Sequence, residues 1–216
     1  MGFLSSVLGI FKSQEERERD KIFGKIDKIL NDDRTQIMGL QPVLQDMLDD
    51  ARMDMLPNAT GAFGRDPGNP ILCNGPLGEI TYLSRLCVKT NKTITPITFH
   101  RIGTTSSPNT HHEIDVYETI DYTGIAYDVL YFDFYHTTKS KKCPEGYILE
   151  EQCLGFRGIN QLNTNFPHDQ YELTIKYAEK MLGVAIFDTD MKNMDVEQAE
   201  RTIRFVKKNH AKMTWW

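Results

Sequence analysis

The sequence predicts an α+β protein: a central antiparallel β-meander of four to six strands, with an N-terminal helical hairpin and C-terminal helices packed on the sheet. Apolar residues recur at helical spacing before residue 56 and after residue 150. Between residues 79 and 150 they alternate at strand spacing instead. The connections between the predicted strands are short, which is typical of antiparallel neighbours, so the order of elements favours the α+β class.

The composition is that of a soluble globular protein. The chain has 216 residues, of which 40% are hydrophobic and 25% charged, and its net charge is −5. An acidic chain lacks the basic face that nucleic-acid binding needs, so no nucleic-acid partner is expected. The acidic balance fits solubility or a basic protein partner.

Cysteine spacing and the first residues predict a cytoplasmic protein. The four cysteines, Cys73, Cys87, Cys143 and Cys153, lack the close pairing of a zinc ribbon or a redox motif, and we expect them to be reduced. The N-terminus has no basic region followed by a cleavage site, so it does not resemble a secretory signal.

We divide the chain into two parts. Residues 1–21 are an apolar N-terminal segment followed by a charged helical extension, and residues 22–216 form a single α+β domain. Within the domain we expect a helical hairpin at residues 22–56 and a Gly/Pro-rich loop at 57–78. The sheet follows at 79–150, and the last part, 151–216, is expected to be mainly helical.

The first eleven residues form an apolar helical stripe that is too short to span a bilayer. The stripe can dock on its own domain, on a partner, or on a membrane surface. The side chains that would make that contact are Phe3, Leu4, Val7, Leu8 and Phe11.

Two helices are predicted before residue 56. The apolar face of the first includes Ile22, Ile26 and Leu30 and ends at the polar residues 31–33. The second extends over about 42–55, with Pro42 in its first turn, where proline is tolerated. We expect these two helices to pack against each other as the N-terminal helical hairpin.

Residues 57–78 hold five glycines and four prolines and have neither helical nor strand period. A connection of this length either wraps the body of the protein or binds something. The residues that would contact a ligand or partner are Phe63, Arg65, Asp66 and Asn74. The glycines match neither a P-loop nor a dinucleotide fingerprint, so no cofactor is expected.

The predicted strands begin with residues 79–88, followed by a turn at 90–93 and a strand at about 93–102. Pro96 in that second strand implies an edge or a bulge. A polar loop over 103–112 precedes a strand at 113–120, and a short strand is expected near 147–150.

Residues 125–136 are apolar on both faces at strand period and contain Asp128 and Asp133. A run of this kind predicts a central strand, in which an ionised acid needs a partner. The ionisable residues that could meet near this strand are Asp128, Asp133, His136, His100 and the pair His111–His112. A carboxylate with a histidine is the minimum for acid–base catalysis.

Strand parity argues against a catalytic pair. Asp133 and His136 face opposite sides of an ideal strand, and so do Asp128 and Asp133. We therefore expect each acid to have its own partner, either Arg85 or a tyrosine hydroxyl. No spacing of a known metal-ligand motif is present, so no metal site is predicted.

The sequence leaves three hypotheses for function. The first is a non-catalytic protein-binding module, with toxin-neutralising immunity proteins as one example of the type. The second is a hydrolase-like enzyme that uses Asp133 or Asp128 with a histidine. The third is a peripheral membrane protein that associates through residues 2–11.

Overall fold

The structure is a computed structural model that describes residues 13–90, 93–121 and 126–153. The predicted apolar segment at 2–11 and the helices expected after residue 153 lie outside these residues. The described elements are helices α1 (Gln14–Asn31), α2 (Asp33–Met38), α3 (Pro42–Asp46) and α4 (Gly75–Arg85), and strands β1 (Ile71–Leu72), β2 (Leu86–Lys89), β3 (Ile94–Ser106), β4 (Glu113–Asp121), β5 (Tyr127–Asp133) and β6 (Tyr147–Leu149).

The six strands form one mixed sheet in the order β1-β5-β4-β3-β2-β6. The pairs β2–β3, β3–β4, β4–β5 and β2–β6 are antiparallel, whereas β1 pairs with β5 in parallel. The α+β class therefore fits, but the all-antiparallel meander predicted from the sequence is not confirmed. The parallel strand comes from the second half of the predicted loop, because Ile71 and Leu72 pair with Phe132 and Asp133.

The predicted N-terminal hairpin is also not confirmed. The first helix ends at Asn31, as the polar break predicts, and it continues without interruption through residues 21 and 22, where we placed a boundary. The second predicted helix, 42–55, is reduced to Pro42–Asp46, and a separate short helix at Asp33–Met38 precedes it. Asp32 begins that short helix by accepting a hydrogen bond from the backbone N–H of Thr35 at 3.0 Å.

The prediction of a strand at 79–88 is wrong over most of its length, because residues 75–85 are helix α4. Its buried residues include Gly75, Glu79, Tyr82 and Leu83, a three- and four-residue spacing that belongs to a helix. Gly75 begins the helix at φ +82°, a conformation that favours glycine. A side chain there would also meet Leu40 at 2.8 Å.

Four of the predicted strands are present with modified bounds, as β3, β4, β5 and β6. The strand predicted at 93–102 continues to Ser106, so the loop before β4 is shorter than expected. Pro96 pairs with Cys87 at the start of β3, and the irregularity in the β3–β4 register lies at Arg101–Gly103 rather than at the proline. Strand β5 lies between β1 and β4, but β1 pairs only with Phe132 and Asp133, so the central strand predicted over 125–136 is confirmed only at the end of β5, which stops at Asp133.

Helix α4 packs on one face of the sheet and encloses the core. Tyr82 on the helix meets Phe132 on β5 edge to face, with ring centroids 5.7 Å apart, and Phe132 meets Tyr117 on β4 at 5.2 Å. The core cluster contains Ile71, Cys73, Tyr82, Leu83, Leu86, Ile97, Phe99, Tyr117, Leu130, Phe132 and Tyr147. The four cysteines all lie in the described residues, and no disulfide joins any two of them. Among the described helices, none has the length and apolar character needed to span a bilayer.

Candidate functional site

Asp133, at the end of β5, is hydrogen-bonded to two histidines. His112 Nε2 lies 2.8 Å from Asp133 Oδ1, and His136 Nε2 lies 3.1 Å from Asp133 Oδ2. The backbone N–H of Tyr135 donates to Oδ1 at 3.1 Å. Asp133 has no exposed surface, yet its carboxylate has three donors, as a buried charge requires. We call Asp133, His112 and His136 the Asp133 site.

The contact between Asp133 and His136 overturns the parity argument. Parity places the two side chains on opposite faces only if residues 133–136 continue as a regular strand, and the chain turns instead. The backbone N–H of Cys73 donates to Asp133 O at 2.7 Å, and the N–H of His136 donates to Cys73 O at 3.1 Å. These bonds bend residues 133–136 around Cys73 and bring His136 back to the carboxylate.

His112 reaches the same carboxylate from the loop before β4. Its ring lies against Tyr135, with centroids 4.2 Å apart, and Tyr135 in turn stacks on Phe134. The two histidines differ in access, since the His112 side chain is 31% exposed and that of His136 only 4%. His112 is therefore the member of the Asp133 site that solvent and small molecules can reach.

The environment favours the ionised form of Asp133. Burial by itself raises the pKa of this carboxyl group, but the hydrogen bond from His136 and the two neighbouring imidazoles outweigh burial, and the pKa lies below its ordinary value. Asp133 is thus a carboxylate at neutral pH. It accepts hydrogen bonds and fixes the orientation of both rings.

The other predicted acid, Asp128, has structural partners. Arg65 Nε donates to Asp128 Oδ2 at 2.6 Å, and the Tyr147 hydroxyl lies 3.3 Å from the same oxygen. A tyrosine hydroxyl was one predicted partner, but Arg85 is not the other, because its Nε donates to the backbone O of Glu150 at 2.6 Å. Asp128 therefore joins residue 65 of the loop to β5 and β6.

The remaining predicted candidates lie apart from the Asp133 site. His100 faces Glu118 across β3 and β4, with Nδ1 2.9 Å from Oε1. Asp66 accepts from the backbone N–H of Gly68 at 2.7 Å, and Phe63 packs against the core. Asn74 belongs to a buried polar network around Lys139, in which Lys139 Nζ donates to Gln36 Oε1 at 2.6 Å and to Asn74 Oδ1 at 3.3 Å. These contacts account for the loop residues as parts of the fold.

A second group of acids was not predicted. Glu79 on α4 is fully buried, and the Tyr117 hydroxyl donates to its Oε2 at 2.9 Å. Asp115, one strand position from the Asp133 site in the β4–β5 register, is held by Arg101 through two hydrogen bonds of 2.7 and 2.8 Å. The sequence offered no signal for Glu79, since glutamate is rarely buried and the residue was assigned to a strand.

Metal binding finds no support in the part of the chain that the structure describes. No group of three or more His, Cys, Asp or Glu side chains there could hold a metal ion. In the Asp133 site both imidazole Nε2 atoms point at separate oxygens of one carboxylate, which is the geometry of hydrogen bonding. The arrangement can move protons and orient an imidazole.

Comparison with known proteins identifies no relative. The chain matches no protein-family model, and neither a curated protein nor a solved structure is significantly similar to it.

Proposed function

We propose that the protein is a hydrolase-like enzyme in which His112, oriented by Asp133, acts as the general acid and base. The observation that supports this proposal is the pair of contacts that buried Asp133 makes with His112 and His136. A buried carboxylate that fixes an accessible imidazole is the arrangement used for proton transfer in many hydrolases. The proposal selects Asp133 from the two carboxylates named above, because Asp128 is paired with Arg65.

The roles follow from the hydrogen bonds. Since Asp133 is ionised, the His112 nitrogen that faces it, Nε2, carries the proton. Nδ1 of His112 then holds the lone pair and can take a proton from a water molecule or a substrate hydroxyl. Asp133 stabilises the positive charge that forms on the ring during this step.

His136 acts as a positioning residue. Its Nε2 faces Asp133 Oδ2, and its Nδ1 is buried with no hydrogen-bond partner among the described residues. The neutral His136 ring with its proton on Nε2 donates to the carboxylate, and it has no N–H at the buried Nδ1 that would lack an acceptor. His136 thus holds one oxygen of Asp133 in place while the other oxygen orients His112.

The proposal is tested with p-nitrophenyl acetate, an activated ester that an accessible, oriented imidazole hydrolyses. We expect His112→Gln and Asp133→Asn to lose the protein-dependent rate, since general acid–base groups contribute about 10²–10⁴-fold. His111→Gln is the matched control, because His111 is the exposed neighbour of His112 in the same loop. The proposal fails if His111→Gln loses as much rate as His112→Gln. It also fails if both His112→Gln and Asp133→Asn hydrolyse the ester as fast as the wild type.

A second candidate function is the protein-binding module of our first hypothesis. It is supported by three exposed apolar side chains in one ten-residue segment: Met38 is 70% exposed, Val43 60% and Met47 51%. Such side chains are typical anchors of a protein interface. The basic partner and the toxin-neutralising role stay predictions, and the membrane-binding segment at 2–11 lies outside the described residues.

This second candidate is tested by photo-cross-linking in the source cells. A photoreactive residue at position 43 should capture one defined protein, and purified partner should then bind the wild type and not a Met38→Ser/Met47→Ser variant. The same photoreactive residue at exposed position 151 is the control. Equal capture from both positions, or equal binding of the variant, would remove the candidate.

A further inference from the structure

The second acidic group, on the core face of the sheet, consists of two carboxyl groups with different partners. Asp115 receives both hydrogen bonds of the Arg101 guanidinium, so its negative charge is compensated. Glu79 is fully buried, and the donor to its Oε2 is the neutral hydroxyl of Tyr117. No donor of the described residues reaches Glu79 Oε1.

A proton on Glu79 completes this arrangement. Burial is the main cause that raises the pKa of Glu79 well above 4.5, and the charge of Asp115 and a hydrogen bond to Asp115 raise it further. The hydrogen bond from Tyr117 acts in the opposite direction and is outweighed. If both carboxyl groups were ionised, two like charges would repel each other in a low-dielectric core, and the hydrogen bonds of the Arg101 guanidinium go to Asp115.

We propose that the folded protein holds a proton on Glu79 at neutral pH and that the Glu79 carboxyl group donates it to Asp115. The pair then carries one negative charge, which Arg101 compensates, and the unpartnered Oε1 of Glu79 becomes a donor. This inference goes beyond the proposed catalytic function and does not rest on it. Among the described residues, the titratable or charged groups that interact electrostatically with Glu79 include Asp115 and Tyr117 on β4, Arg101 on β3, Cys73 before α4 and Tyr135 after β5.

The buried proton predicts a pH dependence of stability with a definite sign. An acid whose pKa is higher in the folded state than in the unfolded state takes up a proton on folding. The resulting stabilisation is complete below about pH 4.5 and is lost as the pH rises toward the folded-state pKa of Glu79. Glu79→Gln has no proton to release, and its amide can still donate to Asp115 and accept from Tyr117.

Infrared spectroscopy tests the proposal directly. At neutral pH the wild type should show the carbonyl band of a protonated carboxylic acid, and the band should shift when the protein is grown with ¹³C-labelled glutamate. Glu79→Gln should abolish the band, whereas Glu113→Gln, at an exposed position on β4, should retain it. A wild type without the band, a band insensitive to glutamate labelling, or a band that persists in Glu79→Gln would overturn the proposal.

Urea unfolding supplies an independent readout. Between about pH 5 and about pH 9 the urea midpoint of the wild type should fall relative to that of Glu79→Gln, because only the wild type loses the proton. Parallel midpoints over this range would contradict the proposal. Should Glu79→Gln not fold, the infrared measurement with labelled glutamate on the wild type still decides the question.

Discussion

Phe132→Ala should lower the free energy of unfolding by about 3–5 kcal/mol, the range for removing a fully buried aromatic ring. Phe132 has no exposed surface and lies between the rings of Tyr82 and Tyr117, at 5.7 and 5.2 Å. It joins helix α4 to strands β4 and β5, so the cavity left by alanine would lie where three elements meet. The surrounding rings are held by the sheet and by α4, and we expect little relaxation into the space.

Urea unfolding followed by circular dichroism measures this loss. The control is Met38→Ala, which shortens an apolar side chain that is 70% exposed and should change the free energy of unfolding by no more than about 0.5 kcal/mol. A Phe132→Ala variant as stable as Met38→Ala would show that α4 does not pack on β5 as described.

Lys139→Met should lower the free energy of unfolding by about 2–3 kcal/mol, a large effect for a polar residue outside the apolar core. The ammonium group of Lys139 is buried and donates to Asp33, Gln36 and Asn74. Methionine keeps most of the volume but leaves three acceptors without this donor. The expected loss is smaller than the 3–5 kcal/mol quoted for fully buried pairs, because the Asp33 side chain is 35% exposed and water can replace part of the interaction.

The exposed neighbour, Lys141→Met, is the matched control and should change the free energy of unfolding by no more than about 0.5 kcal/mol. The double variant Lys139→Met/Asp33→Asn should lose less free energy of unfolding than the sum of the losses in the two single variants, because both changes remove the same ion pair. Additive losses would show that Lys139 and Asp33 do not interact in solution.

The Lys139 network also explains why the turn after β5 is fixed. Lys139 follows His136 by three residues, and Ser140 N donates to Leu72 O at 2.8 Å. Backbone bonds to residues 72–75 and the ammonium contacts to α2 therefore hold the segment from both sides. This fixed turn supports the position of His136 beside Asp133.

Strand prediction succeeded where the apolar pattern had a single interpretation. The strand predicted at 113–120 is present as β4, Glu113–Asp121, and the short strand expected near 147–150 is present at Tyr147–Leu149. Helix α4 was missed because Ile80, Tyr82 and Leu86 alternate like a strand, while the helical face depends on a buried glutamate and two glycines. A buried Glu79 cannot be recognised without the Tyr117 and Asp115 that surround it.

The Asp133 site was only half predictable. The sequence named Asp133, His136 and the pair His111–His112 as residues that could meet at one end of the sheet. It then separated Asp133 from His136, because ideal strand parity was extended beyond the residue where the strand ends. The bonds between Cys73 and residues 133 and 136 that end the strand join positions about sixty residues apart, so local sequence patterns do not encode them.

The surroundings of Asp133 on β5 and of Glu79 on α4 shift the pKa values of these two carboxyl groups in opposite directions. Asp133 has donors from two imidazoles and is held ionised, with its pKa lowered against the effect of burial. The donor to Glu79 among the described residues is the neutral hydroxyl of Tyr117, and burial together with the charge of Asp115 raises the pKa of Glu79.

The central claim is that an ionised Asp133 orients His112 and His136. Nuclear magnetic resonance of the two histidine rings and of the Asp133 carboxyl group tests it most directly. At neutral pH we predict a slowly exchanging Nε2–H proton on each of the two histidines, with the His112 proton lost or displaced in Asp133→Asn. The Asp133 carboxyl carbon should titrate with a midpoint below 3.8. A midpoint at or above 3.8, or a proton on Nδ1 rather than Nε2 of His112, would contradict the claim.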